Sequence, residues 1–142
     1  MDKRKLMEAA LEARSRAYTP YSHFQVGAAL LTKSGSVYQG CNIENAAYTP
    51  TICAERNAFF KAVYEGEREF AAIAVAGSPE GECRDYATPC GVCRQVMMEF
   101  CDPKTFRIYL VKSADEYREY TLEELLPMGF GPGNLEKREK QA

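Results

Sequence analysis

The chain has no run of eighteen apolar residues, so no segment of it is predicted to span a membrane as a helix. Its lysines and arginines are dispersed and its formal net charge is −2, so it also lacks the basic stripe that binding along a polynucleotide requires. Internal repeats and low-complexity tracts are absent as well. These absences argue against a membrane and against a nucleic acid polymer as partners.

We also expect no secretory signal, because residues 1–8 turn polar again where such a signal would become apolar. We therefore expect a cytoplasmic protein. In that compartment its six cysteines are expected to be reduced thiols or metal ligands, and disulfides are disfavoured. Cys41, Cys83 and Cys101 are expected to be small residues that are buried or partly buried.

The length of 142 residues, of which 46% are hydrophobic and 27% charged, fits one domain with a core of its own. We expect this single domain to span residues 1–142, with a charged tail after about residue 134. The only histidine, His23, lies far in the sequence from the paired cysteines and is expected to be structural.

The hydrophobic pattern predicts strands that alternate with helices. In chain order it predicts a helix over 2–17, hairpin strands at 24–31 and 37–43, a helix over 52–65, a strand over 70–76, a helix from 88 to about 101, a strand over 105–112, a short edge strand at 119–121 and a helical turn at 122–126. Thr49-Pro50-Thr51 and Thr88-Pro89 offer cap chemistry for the two middle helices. The antiparallel hairpin and two strand–helix crossovers, which imply parallel neighbours, predict an α/β fold with a mixed sheet centred on strand 70–76.

Three cysteines fall at predicted helix starts: Cys53 in the second helix, and Cys90 and Cys93 in the third. Three thiolates leave one of the four tetrahedral positions of zinc open, which is typical of a catalytic site. Glu55 lies two residues from Cys53, so its carboxylate can sit beside that open position without binding the metal. We therefore predict a catalytic site with one Zn²⁺ per chain.

Two other functions would use some of these residues. Cys-Gly-Val-Cys at 90–93 has the spacing of a redox dithiol of the thioredoxin kind, but such a site has no use for Cys53 and Glu55. A closed structural zinc with Cys83 or Cys101 as fourth thiol would leave Glu55 idle. The sequence pattern by itself leaves both alternatives open.

Three further side chains are candidates for supporting roles. Arg56 is either a surface charge or a donor to a thiolate, which would offset the charge of about −1 that three thiolates leave around Zn²⁺. Asn42 and Glu44 point to the same face of an extended segment, so an amide and a carboxylate are placed to grip adjacent hydroxyls of one ligand. Both are also ordinary residues at the end of a strand.

Four motifs together resemble the small cytidine deaminases of nucleoside salvage. They are Phe-Gln-Val-Gly-Ala-Ala at 24–29, Asn-Ile-Glu-Asn-Ala-Ala-Tyr at 42–48, Cys-Ala-Glu-Arg at 53–56 and Pro-Cys-Gly-Val-Cys-Arg-Gln at 89–95. They occur in that family's order and with its gaps, and the resemblance runs from about Ala17 to Phe130. It implies a three-layer α/β/α sandwich with a five-stranded mixed sheet, and a homotetramer.

The resemblance also implies a role for each matching residue. Cys53, Cys90 and Cys93 would hold the zinc, and Glu55 would shuttle the proton. The residues expected at the substrate are Asn42 and Glu44 for the ribose, Phe24 for the base, and Tyr48, Ala54 and Phe130. The implied reaction is the zinc-dependent hydrolytic deamination of cytidine and deoxycytidine to uridine and deoxyuridine plus ammonia, in pyrimidine salvage.

Substrate and assembly each have an alternative. Blasticidin deaminases share the Cys-Ala-Glu and Pro-Cys-x-x-Cys motifs, which do not fix the substrate alone, but Asn42 and Glu44 favour a nucleoside. Phe130 lies in a Gly-Phe-Gly-Pro-Gly loop, where one chain has little core left to bury it. We expect Phe130 of one subunit to help close the base pocket of another; the alternative is packing within its own subunit.

Overall fold

Helices and strands alternate along the chain much as the hydrophobic pattern predicts. The computed structural model describes residues 2–135, and the expected charged tail lies almost wholly outside the described residues. The elements are α1 (Lys3–Arg14), β1 (Phe24–Thr32), β2 (Val37–Cys41), α2 (Ala54–Tyr64), β3 (Phe70–Pro79), α3 (Gly91–Phe100), β4 (Arg107–Ser113), β5 (Glu116–Thr121) and α4 (Leu122–Leu125). None of the helices in residues 2–135 has the length and apolarity needed to cross a bilayer.

The five strands form one mixed sheet in the order β2-β1-β3-β4-β5, with β3 in the centre as predicted. β1 pairs antiparallel with both β2 and β3, β3 pairs parallel with β4, and β4 pairs antiparallel with β5. The prediction that both crossovers join parallel neighbours is therefore wrong for the first one, since β1 lies between β2 and β3. Residues 28–31 of β1 are all apolar, which suits a strand covered on both faces, and Ala28, Ala29 and Leu30 are fully buried there. The edge strand β2 is mostly half-buried.

Helices cover both faces of the sheet and give it three layers. α1 packs on one face through Leu6, Met7 and Ala10, against small alanines of β1 and β3. α2 and α3 pack on the other face, where Phe59 of α2 and Met97 of α3 are fully buried. These layers and the mixed sheet agree with the predicted α/β/α sandwich.

Two glycines let helices approach the hairpin backbone closely. A Cβ on Gly27 of β1 would lie 2.1 Å from the backbone nitrogen of Arg14 in α1. A Cβ on Gly40 of β2 would lie 2.4 Å from the backbone oxygen of Ala54 in α2. The second contact places the start of α2, and with it Cys53, directly against the edge hairpin.

The segment that leaves β2 is also tied to the chain just before α2. The backbones of Ile43 and Ile52 exchange two hydrogen bonds, of 3.0 and 3.1 Å. One turn into α2, Asn57 Nδ2 donates to the backbone oxygen of Cys41 at 2.8 Å. The hairpin exit, defined as residues 42–45, is therefore fixed next to the helix start that carries Cys53.

Candidate active site

The starts of α2 and α3 converge, and their cysteines form one group, called here the thiol cluster. Cys53 is the N-cap of α2, Cys90 is the N-cap of α3, and Cys93 lies in the first turn of α3. The Sγ atoms of Cys53 and Cys90 are 3.7 Å apart, those of Cys90 and Cys93 are 3.5 Å apart, and all three lie within 4.8 Å of one another. Tetrahedral thiolates at the usual zinc–sulfur length of about 2.3 Å stand roughly 3.8 Å apart. The thiol cluster therefore fits one Zn²⁺.

The two capping cysteines replace the residues that the sequence pattern predicted as caps. Thr49-Pro50-Thr51 belongs to a turn and a link before α2, and Thr88-Pro89 precedes the cap of α3. Neither Cys53 nor Cys90 makes a side-chain capping hydrogen bond. Neither sulfur is thus bonded to the backbone of its own helix, while the positive ends of two helix dipoles favour the thiolate form.

The thiols of the cluster hold their protons unequally. Hydrogen bonds from the Cys93 thiol and from Arg56 lower the pKa of the Cys53 thiol to about 5. Donation to Cys53, together with burial, raises the pKa of Cys93. Cys53 therefore ionises before Cys93, and ionisation is what a metal ligand requires.

Arg56 lies beside the thiol cluster in the first turn of α2. Its Nη2 is 3.5 Å from Cys53 Sγ, and its buried Nε has no hydrogen-bond partner among the described residues. A guanidinium in this place can offset the negative charge of neighbouring thiolates.

Glu55 is only 4% exposed and lies against the thiol cluster without belonging to it. Burial raises the pKa of Glu55 to about 7, and the charge of Cys53 adds to this rise, although the backbone N–H of Glu55 and the Cys93 thiol oppose it. A carboxyl group whose pKa lies near neutrality both accepts and returns a proton readily.

The other three cysteines are free thiols and stay apart from the thiol cluster. Cys41 and Cys83 are half-buried and donate to backbone oxygens, at 3.4 and 3.8 Å, while Cys101 is buried, which raises its pKa. Within residues 2–135 the thiol cluster is the only group of three or more potential metal ligands. The structure therefore supplies no fourth thiol for a closed zinc site. A redox dithiol, in turn, leaves Cys53 and Glu55 without a role.

Asn42 follows β2 but uses its carboxamide on β1. Its Oδ1 accepts from the backbone nitrogen of Val26 at 2.9 Å, and its Nδ2 donates to the backbone oxygen of Phe24 at 2.8 Å. The side chain therefore fixes the start of β1. It keeps one lone pair and one N–H for another partner.

Glu44 holds the loop that precedes β1. Its Oε1 accepts from the backbone nitrogens of Tyr21 and Ser22 at 3.0 and 3.1 Å, and its Oε2 accepts from the Ser22 hydroxyl. The Ser22 hydroxyl and these backbone groups lower the pKa of Glu44, so the carboxylate stays ionised at neutral pH. None of these three hydrogen bonds follows from the sequence, in which residues 18–21 indicate only the end of a helix.

A cleft of about 390 Å³ opens at this carboxylate. The residues that line it are Tyr21, Ser22, Glu44, Tyr48 and Thr51. Tyr48 is 71% exposed, and its ring meets that of Tyr21 edge-on, with 6.0 Å between centroids. The cleft is large enough for a small polar ligand such as a sugar.

The other three candidate substrate contacts differ in exposure. Phe24 begins β1 opposite Pro79 of β3 and is half-buried, and Ala54 is fully buried as the first residue of α2. Phe130 is 59% exposed, while its backbone oxygen accepts from Gln95 Nε2 of α3 at 2.9 Å. The backbone of Phe130 is thus held near α3, while the residue is not packed into the core of its own chain.

The site has the arrangement of the zinc deaminases: three thiols converge at helix starts, and beside them lies a buried carboxylate that is not a ligand. The sheet that carries it is a mixed α/β sheet. The model of the family described as the cytidine and deoxycytidylate deaminase zinc-binding region matches residues 1–109. The chain therefore belongs to the cytidine and deoxycytidylate deaminase family. The resemblance seen in the four motifs is confirmed.

Curated relatives match along nearly the whole chain. The cytidine deaminase of Sporosarcina psychrophila is 49% identical over 135 residues, which cover 95% of this chain and 96% of the relative. The cytidine deaminase of Halalkalibacterium halodurans is 51% identical over 130 residues, which cover 92% and 95%. Both matches therefore include all four motifs, which lie within residues 24–95.

Solved structures agree with the sequence matches. The crystal structure of cytidine deaminase from Burkholderia pseudomallei has a TM-score of 0.82 at 48% identity, over 92% of this chain and 100% of that one. The crystal structure of cytidine deaminase from Mycobacterium tuberculosis has a TM-score of 0.76 at 36% identity, over 92% and 98%. The five-stranded α/β/α fold predicted from the resemblance is confirmed.

Proposed function

We propose that the protein catalyses the hydrolytic deamination of cytidine and deoxycytidine to uridine and deoxyuridine, with release of ammonia, in pyrimidine salvage. The observation that carries this function is the buried carboxyl group of Glu55 beside three converging thiols. Relatives that are named cytidine deaminases, and that match along nearly the whole chain, support the choice of substrate. The cofactor is one Zn²⁺ per chain, held by Cys53, Cys90 and Cys93.

A zinc ion in the thiol cluster supplies Lewis acidity, which lowers the pKa of water from about 15.7 towards 7. Glu55 accepts a proton from the water that adds to C4 of cytosine, and it delivers a proton to N3. It then takes the second water proton from the hydroxyl formed at C4 and delivers it to the exocyclic amine, as the C4–N4 bond breaks and the C4 carbonyl forms. Water and cytidine thus become uridine and ammonia. The Glu55 pKa of about 7 suits transfer in both directions.

Arg56 has a supporting role in this proposal. Three thiolates and one divalent ion carry a net charge of about −1, and excess negative charge would make water a weaker acid. The guanidinium near Cys53 Sγ offsets this charge from outside the ligand set.

The hairpin exit supplies the sugar contacts. Asn42 and Glu44 bind ribose hydroxyls, Phe24 lines the base pocket, and Tyr48 and Ala54 complete the contacts within one chain. An ionised carboxylate accepts hydroxyl protons but repels a nearby phosphate. Nucleosides are therefore preferred to CMP and to single-stranded DNA, and free cytosine, which lacks the positioning contacts of the sugar, is a poor substrate.

The active form is a homotetramer in the cytoplasm, built from chains that each form a single domain over residues 1–142. Large apolar side chains exposed on one chain support this assembly, among them Phe60 at 48%, Tyr64 at 87% and Phe130 at 59%. Phe130 of one subunit helps close the base pocket of another.

Zinc analysis combined with an ammonia-release assay tests the proposed function. The assay compares cytidine, deoxycytidine, adenosine and blasticidin, and we expect turnover of the first two by protein that contains zinc. A clear preference for blasticidin would show that the substrate proposed here is wrong. Full activity of metal-free protein would overturn the mechanism. Reduction of disulfides without deamination would favour the redox dithiol instead.

A further inference from the structure

We propose that Ser22 is a positioning residue for nucleoside binding, whose hydroxyl sets the Glu44 carboxylate for the hydroxyls of the sugar. The inference rests on the proposed function, because it concerns the sugar of that substrate. It starts from the position of the Ser22 side chain, which lies between Glu44 and the start of β1.

The Ser22 hydroxyl makes two hydrogen bonds of opposite direction. It donates to Glu44 Oε2, and it accepts from the backbone nitrogen of Phe24 at 3.0 Å. A hydroxyl has one proton to donate and lone pairs with which to accept, so these two bonds use it in both senses. One side chain therefore links the carboxylate to the backbone of the aromatic residue beside it.

The two oxygens of Glu44 are held differently. Oε1 accepts two backbone N–H groups, from Tyr21 and Ser22, whereas the Ser22 hydroxyl is the only hydrogen-bond partner of Oε2 within residues 2–135. The two backbone hydrogen bonds hold Oε1 in place, and the hydroxyl holds Oε2, so that together they fix the orientation of the carboxylate plane. Without the hydroxyl, no hydrogen bond within residues 2–135 fixes the position of Oε2.

Oε2 is also an oxygen that a sugar can use. Glu44 and Ser22 both line the cleft of about 390 Å³, and a carboxylate oxygen has lone-pair capacity beyond one hydrogen bond. A sugar hydroxyl in that cleft can therefore donate to an oxygen whose direction Ser22 has already set. Loss of the Ser22 hydroxyl should therefore weaken the binding of nucleosides that carry 2′- and 3′-hydroxyls, and it should leave the binding of nucleosides that lack them unchanged.

Calorimetric titration of the zinc-loaded protein with uridine and with 2′,3′-dideoxyuridine tests this inference. Ser22→Ala should weaken the binding of uridine about tenfold, which corresponds to the loss of one hydrogen bond to a charged group. The affinity for dideoxyuridine should be nearly unchanged. Ser22→Thr, which retains the hydroxyl, should restore uridine binding. Ser34→Ala is the matched control, because the Ser34 hydroxyl also makes a side-chain hydrogen bond, 2.9 Å to Thr32 Oγ1, but at the far end of β1.

Kinetics with cytidine give a second measure: Ser22→Ala should raise KM by a similar factor while kcat changes little. If the alanine variant is unstable, Ser22→Cys takes its place with the same expectation, since it keeps the volume but offers only a weak donor.

Equal weakening of both ligands would show that Ser22 only supports the fold, and unchanged uridine binding would show that it positions nothing; either result overturns the inference. Zinc-loaded wild-type protein that neither binds uridine nor deaminates cytidine would instead refute the proposed function, and this inference with it.

Discussion

The metal half and the sugar half of the site are built in opposite ways. At the thiol cluster, Cys53 and Cys90 occupy cap positions without capping hydrogen bonds, so their sulfurs are not bonded to the backbone of their own helices. At the hairpin exit, Asn42 and Glu44 already bind the backbone of β1 and of the loop before it. The side chains of the first half are thus linked to each other through the metal that they bind, and those of the second are bonded to the scaffold directly. A substitution that leaves the metal bound should change chemistry alone in the first half, whereas a substitution in the second half should change affinity together with stability.

The largest effect is expected from the thiol cluster itself. Cys90→Ala should lose its zinc, lose cytidine turnover and unfold at a lower temperature, because metal binding and the ordering of the two helix starts are linked. Cys83→Ala is the control, since Cys83 lies outside the thiol cluster. Zinc analysis and thermal unfolding measure the difference. A Cys90 variant with full zinc content would remove this thiol from the ligand set.

Glu55→Gln should separate chemistry from scaffold within the metal half. Turnover of cytidine should fall by about 10²–10⁴ through the loss of proton transfer, while zinc content and folding are retained. Glu65→Gln, at the C-terminal cap of the same helix, is the matched control and should behave as wild type. Normal turnover by the Glu55 variant would make this carboxyl group a structural residue.

In the sugar half, Asn42→Ala should change affinity and stability together. The KM for cytidine should rise, and the free energy of unfolding should fall by about 1–3 kcal/mol, because the backbone nitrogen of Val26 loses its partner. Asn45→Ala should cost less, since within residues 2–135 the Asn45 carboxamide accepts only from the nearby backbone nitrogen of Ala47. Urea unfolding and steady-state kinetics measure both quantities. A raised KM at unchanged stability would mean that the two halves are built alike.

The smallest effect is expected from Phe130→Ala. Phe130 is 59% exposed, so folding and zinc content should be unchanged while the KM for cytidine rises several-fold. The shared site is checked by mixing inactive Glu55→Gln chains with chains truncated before Phe130, which should recover activity as subunits exchange. A monomer in sedimentation at micromolar concentration, or no recovery despite exchange, would end the shared-site proposal.

Local sequence patterns predicted the features that local geometry determines. The spacing of Cys90 and Cys93 and the helical periodicity after Cys53 place three thiols at helix starts, and the structure brings these starts together. The caps were predicted wrongly because threonine and proline are the usual residues there, whereas the chain stays extended up to each cysteine. The two helices therefore begin where the cysteines of the thiol cluster are placed, and the usual preference for threonine at the cap does not decide their starts.

Contacts between distant segments were not predictable in the same way. The position of β1 between β2 and β3 depends on which strand is buried, and strand spacing does not report it. Two of the three hydrogen bonds to Glu44 come from backbone N–H groups of Tyr21 and Ser22 in a loop, and these groups have no side-chain signature. The pattern of Asn42 and Glu44 indicated a bound ligand, but it did not indicate the hydrogen bonds of these side chains to the backbone.

The paired backbone hydrogen bonds between Ile43 and Ile52 join the sugar half to the metal half through main chain alone. Such a joint does not depend on which side chains flank it. Replacement of Asn42 or Glu44 would therefore alter what is recognised, at some cost in stability, while Cys53 stays in register with the other thiols. For the evolution of such a fold, this means that substrate range can diverge between descendants while the underlying reaction is inherited unchanged.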